Sequence, residues 1–194
     1  MIMSTNVIKD LVGYLTTGQM PEAEPVVVEA EISVVVGGEA VLSTVTEEEN
    51  AMFLLMAWMK RLGMSAKDLH YRAKGRAFYA IHELADFIWR IDNETDHIAE
   101  VYYMGDKGIA PPLMAVVYKK AVEMYPETIV PDGALGVYVE DLSMCAWEVT
   151  NLIEKIKKSY PDIKAGVTAV LDAISQQCLV AMGFLQKTDE PEMV

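Results

Sequence analysis

The stretch Leu69 to Glu100, LHYRAKGRAFYAIHELADFIWRIDNETDHIAE, decides how the chain is read. It contains all three histidines of the protein, His70, His82 and His97. It also carries Glu83, Asp86, Asp92, Glu94, Asp96 and Glu100, set among Phe78, Tyr79, Ile81, Leu84, Phe87, Ile88, Trp89 and Ile91. Imidazoles and carboxylates on a largely apolar helix are costly to bury unless something pairs with them. A metal ion is one such partner.

Long helices are expected on both sides of Gly75. Thr46 opens the first, because Thr46 to Glu49 fits a capping box and three glutamates occupy the first turn, where the helix dipole favours negative charge. That helix is expected to run to about Lys74, with Met52, Phe53, Leu55, Met56, Met59, Leu62 and Leu69 forming more than one buried stripe. Gly63 interrupts its pattern, and Gly75 ends it. The second helix is expected over about Arg76 to Met104, stopped by Gly105-Asp106-Lys107-Gly108 and by Pro111-Pro112. A short helix, Leu113 to Met124, lies within the long connection that follows. The third long helix spans about Gly133 to Ser159. The fourth spans about Asp162 to Gln186, with Pro161 at its first-turn position. Long helices with short 1–2 and 3–4 connections and a long 2–3 connection describe an all-α, four-helix bundle with one crossover, the ferritin-like topology.

The first 45 residues have a different texture. Val7, Ile8, Leu11, Val12 and Leu15 recur at helical spacing, and Gln19 to Pro25 reads as a linker. Pro25 to Ser43 is rich in β-branched residues, and Gly37-Gly38 falls between Val34-Val35-Val36 and Val41-Leu42, a β-hairpin signal. The expected organisation is an N-terminal extension over 1–45, a helical bundle over 46–187 and a polar tail over 188–194.

Composition narrows the function. The chain has 194 residues, 52% hydrophobic and 23% charged, enough for one well-buried domain. A net charge of −13 and the lack of a basic tail argue against binding nucleic acid phosphates. No uncharged apolar run reaches the roughly 18 residues of a membrane span, and the N-terminus lacks the pattern of a signal peptide. A cytoplasmic protein without membrane partners is therefore expected. Cys145 and Cys178 read as buried free thiols, and without a CxxC spacing they do not suggest a zinc site.

Helical geometry gathers the ionisable groups of the opening stretch. His82 and Asp86 are four apart and share a face. Glu100 returns to the line of His82 after five full turns, Asp86 and Asp96 straddle that line, and His97 lies about 60° round from it. His70 sits across the short 1–2 connection. Mixed imidazole and carboxylate ligands suit iron, zinc or manganese, and redox chemistry at open positions favours iron. The same residue types also serve as hydrogen-bonded structural histidines and solvated carboxylate faces, and spacing alone does not choose between these uses.

A resemblance adds to this. LHYRAKGRAFYAIHELAD is similar to the signature of the Dps family, the mini-ferritins: a His followed by an aromatic, a Lys-Gly turn, an aromatic, then His-Glu-x-x-Asp on a second helix. Here these are His70, Tyr71, Lys74-Gly75, Phe78, His82-Glu83 and Asp86, with the family's twelve-residue spacing between the two histidines. Tyr71 stands where the family usually has Trp. DHIAE, followed by YYMGDKGIAP, resembles the family's Asp-x-x-Ala-Glu and Gly-Gly-x-Pro helix end. The resemblance covers about residues 46 to 187 and is specific over 69 to 100.

It implies a ferritin-like fold and a non-haem iron ferroxidase centre, mono- or di-iron, at a two-fold subunit interface, with no organic cofactor. One subunit would give His70, His82 and Asp86, and its neighbour Asp96 and Glu100. The implied assembly is a hollow homo-dodecamer that oxidises ferrous iron with peroxide or oxygen, stores the ferric mineral and protects against oxidative stress. DNA binding is not expected. Counted from His82, Asp96 and Glu100 arrive one residue earlier than in the family; in an uninterrupted helix the corresponding positions are His97 and Val101. His97 is therefore a substitute ligand, and the competing expectation is a ferritin-like shell or structural protein with an altered or inactive site. Glu94-x-x-His97 also resembles the ExxH motif of larger ferritin-like proteins, without a second copy in the fourth helix.

Overall fold

The computed structural model describes residues 35–36, 39–40, 45–74, 77–126 and 135–188. The chain divides between Val45 and Thr46 into two units. In the first, β1 (Val35–Val36) and β2 (Glu39–Ala40) pair antiparallel, Val35 with Ala40 and Val36 with Glu39. The rest of the expected hairpin, the helix expected near the N-terminus and the linker lie outside the described residues.

The second unit is helical. Its elements are α1 (Glu47–Arg72), α2 (Ala77–Ile98), a π-helical segment (Ala99–Lys107), α3 (Met114–Glu123), α4 (Leu135–Ser159) and α5 (Ala165–Thr188). The expected capping box forms at Thr46: its side chain accepts from the Glu49 amide at 3.1 Å, and the Glu49 carboxylate accepts from the Thr46 amide at 2.9 Å.

Two boundaries differ from expectation. The second helix does not stop at Met104 but winds on through Lys107 as a π-helix, with Gly105 inside it. The stop is Gly108, whose φ of +66° is the left-handed conformation glycine adopts without steric cost. At α5, Pro161 precedes the helix instead of opening it. The Ile163 amide bonds back to the Tyr160 carbonyl, making a turn, and the Val167 and Thr168 amides of α5 bond to the carbonyl of Lys164.

Contacts between elements define the bundle. α1 packs on α2 and α4, and α5 packs on α4 and α2, so each long helix has two long neighbours. The pairs run antiparallel. Lys60 meets Asp92 while His70 meets His82 across α1 and α2. Arg61 meets Asp141 while Arg72 lies over Tyr138 across α1 and α4. Because α2 and α4 are both antiparallel to α1, they run parallel to each other, and the connection between them must travel the length of the bundle. α3 lies in that crossover and packs on α1.

With neighbours on three sides, α1 is buried almost all round: Met52, Leu55, Met56, Met59 and Leu62 expose nothing. Ile88 and Ile91 of α2, Leu142, Val149 and Ile153 of α4, and Leu171 and Ile174 of α5 complete the core. Both thiols sit in it, free and fully buried, and burial pushes each up to about 12. One helical stretch, Ala165–Leu185, is long and apolar enough to cross a membrane by length and composition, although Asp172 keeps it from being an uncharged run. That carboxylate pairs with Lys157 of α4 at 2.7 Å.

Two charged residues hold α1 to its long neighbours from the inside. Arg61 is fully buried and donates to Asp141 Oδ1 at 2.6 Å and to the Ser65 hydroxyl, which donates in turn to Asp141 Oδ2 at 2.7 Å. Lys60 faces the other way and meets Asp92 of α2, side chain and carbonyl, at 3.1 Å each. Burial pushes the Asp92 carboxyl above the usual carboxylate range, and Lys60 offsets that in part. Gly63 fits beside Asp92 because it has no Cβ; an added one would stand 2.8 Å from the Asp92 side chain.

Two substitutions test these contacts. Asp141→Ala leaves the Arg61 charge buried and unpaired and is expected to cost about 3–5 kcal/mol, read as a lower urea midpoint at unchanged slope. A loss below about 1 kcal/mol, the range of exposed pairs, would contradict the buried network. Gly63→Ala is expected to lower Tm, although alanine in a helix interior is ordinarily better than glycine by about 1 kcal/mol. A raised Tm would show that α2 gives way at no cost.

Candidate metal centre

The packing of α1 on α2 brings two of the candidate ligands together. His70 lies in the last turn of α1 and His82 in the second turn of α2, and antiparallel packing sets their imidazoles 4.7 Å apart between centroids, tilted by 48°. Their Nδ1 atoms are 3.2 Å apart. At that distance a proton on either Nδ1 can be donated to the other. Phe78 stacks on His82 with centroids 5.6 Å apart and rings 18° from parallel, and it meets His70 edge-on at 6.0 Å. Asp86, one turn further along α2, reaches within 3.7 Å of His82 Nε2.

This is a workable chelate. With metal–nitrogen bonds of about 2.0–2.1 Å, nitrogens 3.2 Å apart subtend about 100° at the ion, between the tetrahedral and octahedral values. Both rings are half-buried and Asp86 is exposed, so the pair opens to solvent on one side.

The remaining candidates are elsewhere in the chain. Asp96 and Glu100 lie 14 and 18 residues beyond His82, about 21 and 27 Å along the axis at 1.5 Å per residue. Both are exposed. Among the described residues, no three His, Cys, Asp or Glu side chains converge as a metal site within one chain. His97 turns to its own helix: its Nδ1 is 2.8 Å from Glu94 Oε2, and this hydrogen bond and charge raise its pKa above the ordinary histidine value. The ExxH pair therefore exists as a contact between neighbours on the exposed surface.

The register departure can be located. α2 is regular from Ala77 to Ile98, so nothing between His82 and Asp96 absorbs a residue; the irregularity begins at Ala99, just before Glu100. His82, Asp86, Asp96, His97 and Glu100 all share one solvent-facing stripe of the helix, about 100° wide. Tyr79 and Trp89, two of the large apolar residues of the opening stretch, lie on or beside this stripe and are 77% and 49% exposed. A shallow cavity of about 400 Å³, lined by Glu100, Val101, Gly105, Lys164, Gly166 and Val167, lies where the π-segment meets the start of α5.

Spacing did not point to a second ionisable group, just past Glu100. Tyr102 and Tyr103 lie in the π-segment with rings 4.8 Å apart, edge to face. Burial, with help from Glu48 at Tyr102 and Glu49 at Tyr103, pushes both phenols well above their ordinary value. The readable signal was the Tyr-Tyr pair itself, in a helix whose polar face lies elsewhere.

Compared with models of protein families and with curated protein sequences, the chain matches none.

The His97 contact has a measurable consequence. Its NMR titration midpoint is expected above the ordinary histidine value, and Glu94→Gln is expected to lower it. Because the folded pKa is raised, any stabilisation from the pair is complete below the unfolded pKa and is lost as pH rises through the folded one. An unchanged midpoint in Glu94→Gln would remove Glu94 as the cause.

Proposed function

We propose that the chain is the subunit of a Dps-like mini-ferritin: a ferritin-like bundle that oxidises ferrous iron at a site shared by two copies and stores the ferric product in a hollow homo-oligomer. The family it resembles forms dodecamers, and in this reading the protein works in the cytoplasm against oxidative stress, without DNA or membrane partners. The observation that carries the reading is the divided ligand set. His70 and His82 stand at chelating distance at one end of the helix pair, and the carboxylates Asp96 and Glu100 lie on the same exposed stripe, too far along to join them within one chain.

A second copy, antiparallel about a two-fold axis near Ile91, supplies what one chain lacks. Isologous pairing sets His82 opposite Glu100 and Asp86 opposite Asp96, since each pair of numbers averages to 91. Apolar groups for such a contact are available: Tyr79 and Trp89 of α2, and Tyr118 and Val122 of α3, are all more than 40% exposed. The antiparallel ring of long helices with a crossover is also the arrangement expected of a ferritin-like fold.

Ferrous iron is the substrate. The imidazoles and carboxylates bind and orient it, a mixed nitrogen and oxygen set that suits iron. Phe78 fixes the ring plane of His82, and the open side admits peroxide or oxygen, which takes the electron. A second reading, a shell with an altered or inactive site, is favoured by one observation: His97, which stands where an unbroken register would put a carboxylate ligand, is occupied by Glu94.

Ferric absorbance after adding ferrous iron and peroxide decides between them. Oxidation well above a buffer control, lost in His82→Ala, is expected; no acceleration in the unsubstituted protein favours the inactive shell. Co-assembly tests the sharing. His82→Ala and Glu100→Ala oligomers are each expected to be inactive, while their co-expressed mixture regains roughly a quarter of the sites. No recovery would place the whole site within one chain. A monomer by light scattering would contradict the oligomer.

A further inference from the structure

His82 turns its two ring nitrogens to two different neighbours. Its Nδ1 faces His70 Nδ1 at 3.2 Å, and its Nε2 faces Asp86 Oδ2 at 3.7 Å. The two nitrogens point to opposite edges of the imidazole, and which of them takes a metal is set by what the other bonds to. An ion chelated between the two Nδ1 atoms leaves the proton of a neutral His82 on Nε2. Asp86 stands at that N–H and not at the chelating pair.

Phe78 cannot make this choice. It stacks on His82 at 18° and so fixes the plane of the ring. A half-turn of the ring about its bond to Cβ keeps that plane and that stack, yet it turns a ring carbon toward His70 in place of Nδ1. A polar partner at Nε2 separates the two orientations, because the half-turn puts a C–H where the carboxylate would accept an N–H. Helical spacing supplies the partner, since Asp86 lies one turn beyond His82 on the same face of α2. The 3.7 Å gap is longer than a hydrogen bond. Both side chains are well exposed, at 41% and 59%, and a small rotation closes it.

We propose that Asp86 is a positioning residue and not an iron ligand: it accepts the Nε2–H of His82 and holds Nδ1 toward His70 and the ion. This rests on the iron-site reading above and divides the carboxylates of that site by role. Asp96 and Glu100 of the second copy bind the ion, while Asp86 acts through His82. A carboxylate on the far nitrogen makes the imidazole a more basic ligand and fixes its orientation, and removing such a partner ordinarily lowers metal affinity about 10–100-fold.

Zinc, which has no redox chemistry, tests this apart from iron oxidation. The full-length protein, labelled with 15N in its three histidines, is loaded with zinc and read by solid-state NMR, with His97→Gln removing the third signal. His82 is expected to hold zinc at Nδ1 and a proton at Nε2. By titration calorimetry Asp86→Ala is expected to bind zinc about 10–100-fold more weakly. Asp86→Asn is expected to stay within about threefold of the unsubstituted protein, because its amide oxygen still accepts the N–H, although it is a much poorer ligand than a carboxylate. Thermal melts of both variants are expected to be unchanged. Zinc at His82 Nε2, an equal loss in Asp86→Asn and Asp86→Ala, or no loss in Asp86→Ala each overturns the positioning role and leaves the ferroxidase reading standing. No zinc bound by the unsubstituted protein overturns both.

Discussion

Arg61 carries a permanent positive charge with no exposed surface, and the rest of the bundle is arranged around keeping it satisfied. An arginine cannot neutralise itself by losing a proton, so its partners must be present whenever the chain is folded. Asp141 supplies the opposite charge from α4, Ser65 links arginine and carboxylate from α1, and the guanidinium lies 3.5 Å from the centre of the Tyr125 ring. Tyr125 follows α3, and its hydroxyl donates to Asp68 at 3.1 Å. A single buried charge thus fixes which residue of α4 meets α1 and where the crossover comes down on the bundle. Replacing such a pair by apolar residues is often neutral for stability, so its contribution here lies in specifying register.

Lys60 performs the corresponding role toward α2. Adjacent residues on a helix point about 100° apart, so two consecutive basic residues reach two different neighbours. The α1–α2 contact at Lys60, Gly63 and Asp92 fixes the pairing seven and more residues before the turn. Once that register is set, His70 and His82 have little freedom in where they meet. The 3.2 Å separation of their Nδ1 atoms is therefore inherited from packing in the middle of the helix pair.

Much of this was legible. Glycine, capping and proline signals gave the long helices within a few residues, because those signals act locally on the backbone. The His70–His82 contact was legible because a turn of known length joins two antiparallel helices. The buried pairs were not, since Lys60-Arg61 reads as a solvated point on a helix until partners 32 and 80 residues away are known. Nor was the π-segment, which depends on one extra residue per hydrogen-bonded ring and has no composition of its own. The exposure of Tyr79 and Trp89 was not legible either, because apolar character does not say which face of a helix is covered. The register of Asp96 and Glu100 was read as one residue short, and α2 runs regularly through that region. Within one chain both carboxylates are exposed, and the fold sets no ligand opposite them among the described residues.

The absent Cβ at Gly63 has a consequence for how this protein can change over generations. Alanine is a single-nucleotide step from glycine and a better helix former, yet here the gain is blocked by the neighbouring aspartate. Asp92 cannot shrink first without stranding Lys60 in the interior. The three positions are therefore locked in sequence space: favourable changes at any one depend on changes already made at the others, and their effects will not add. Lineages of this chain should then drift freely over the acidic surface while these three residues move together or not at all.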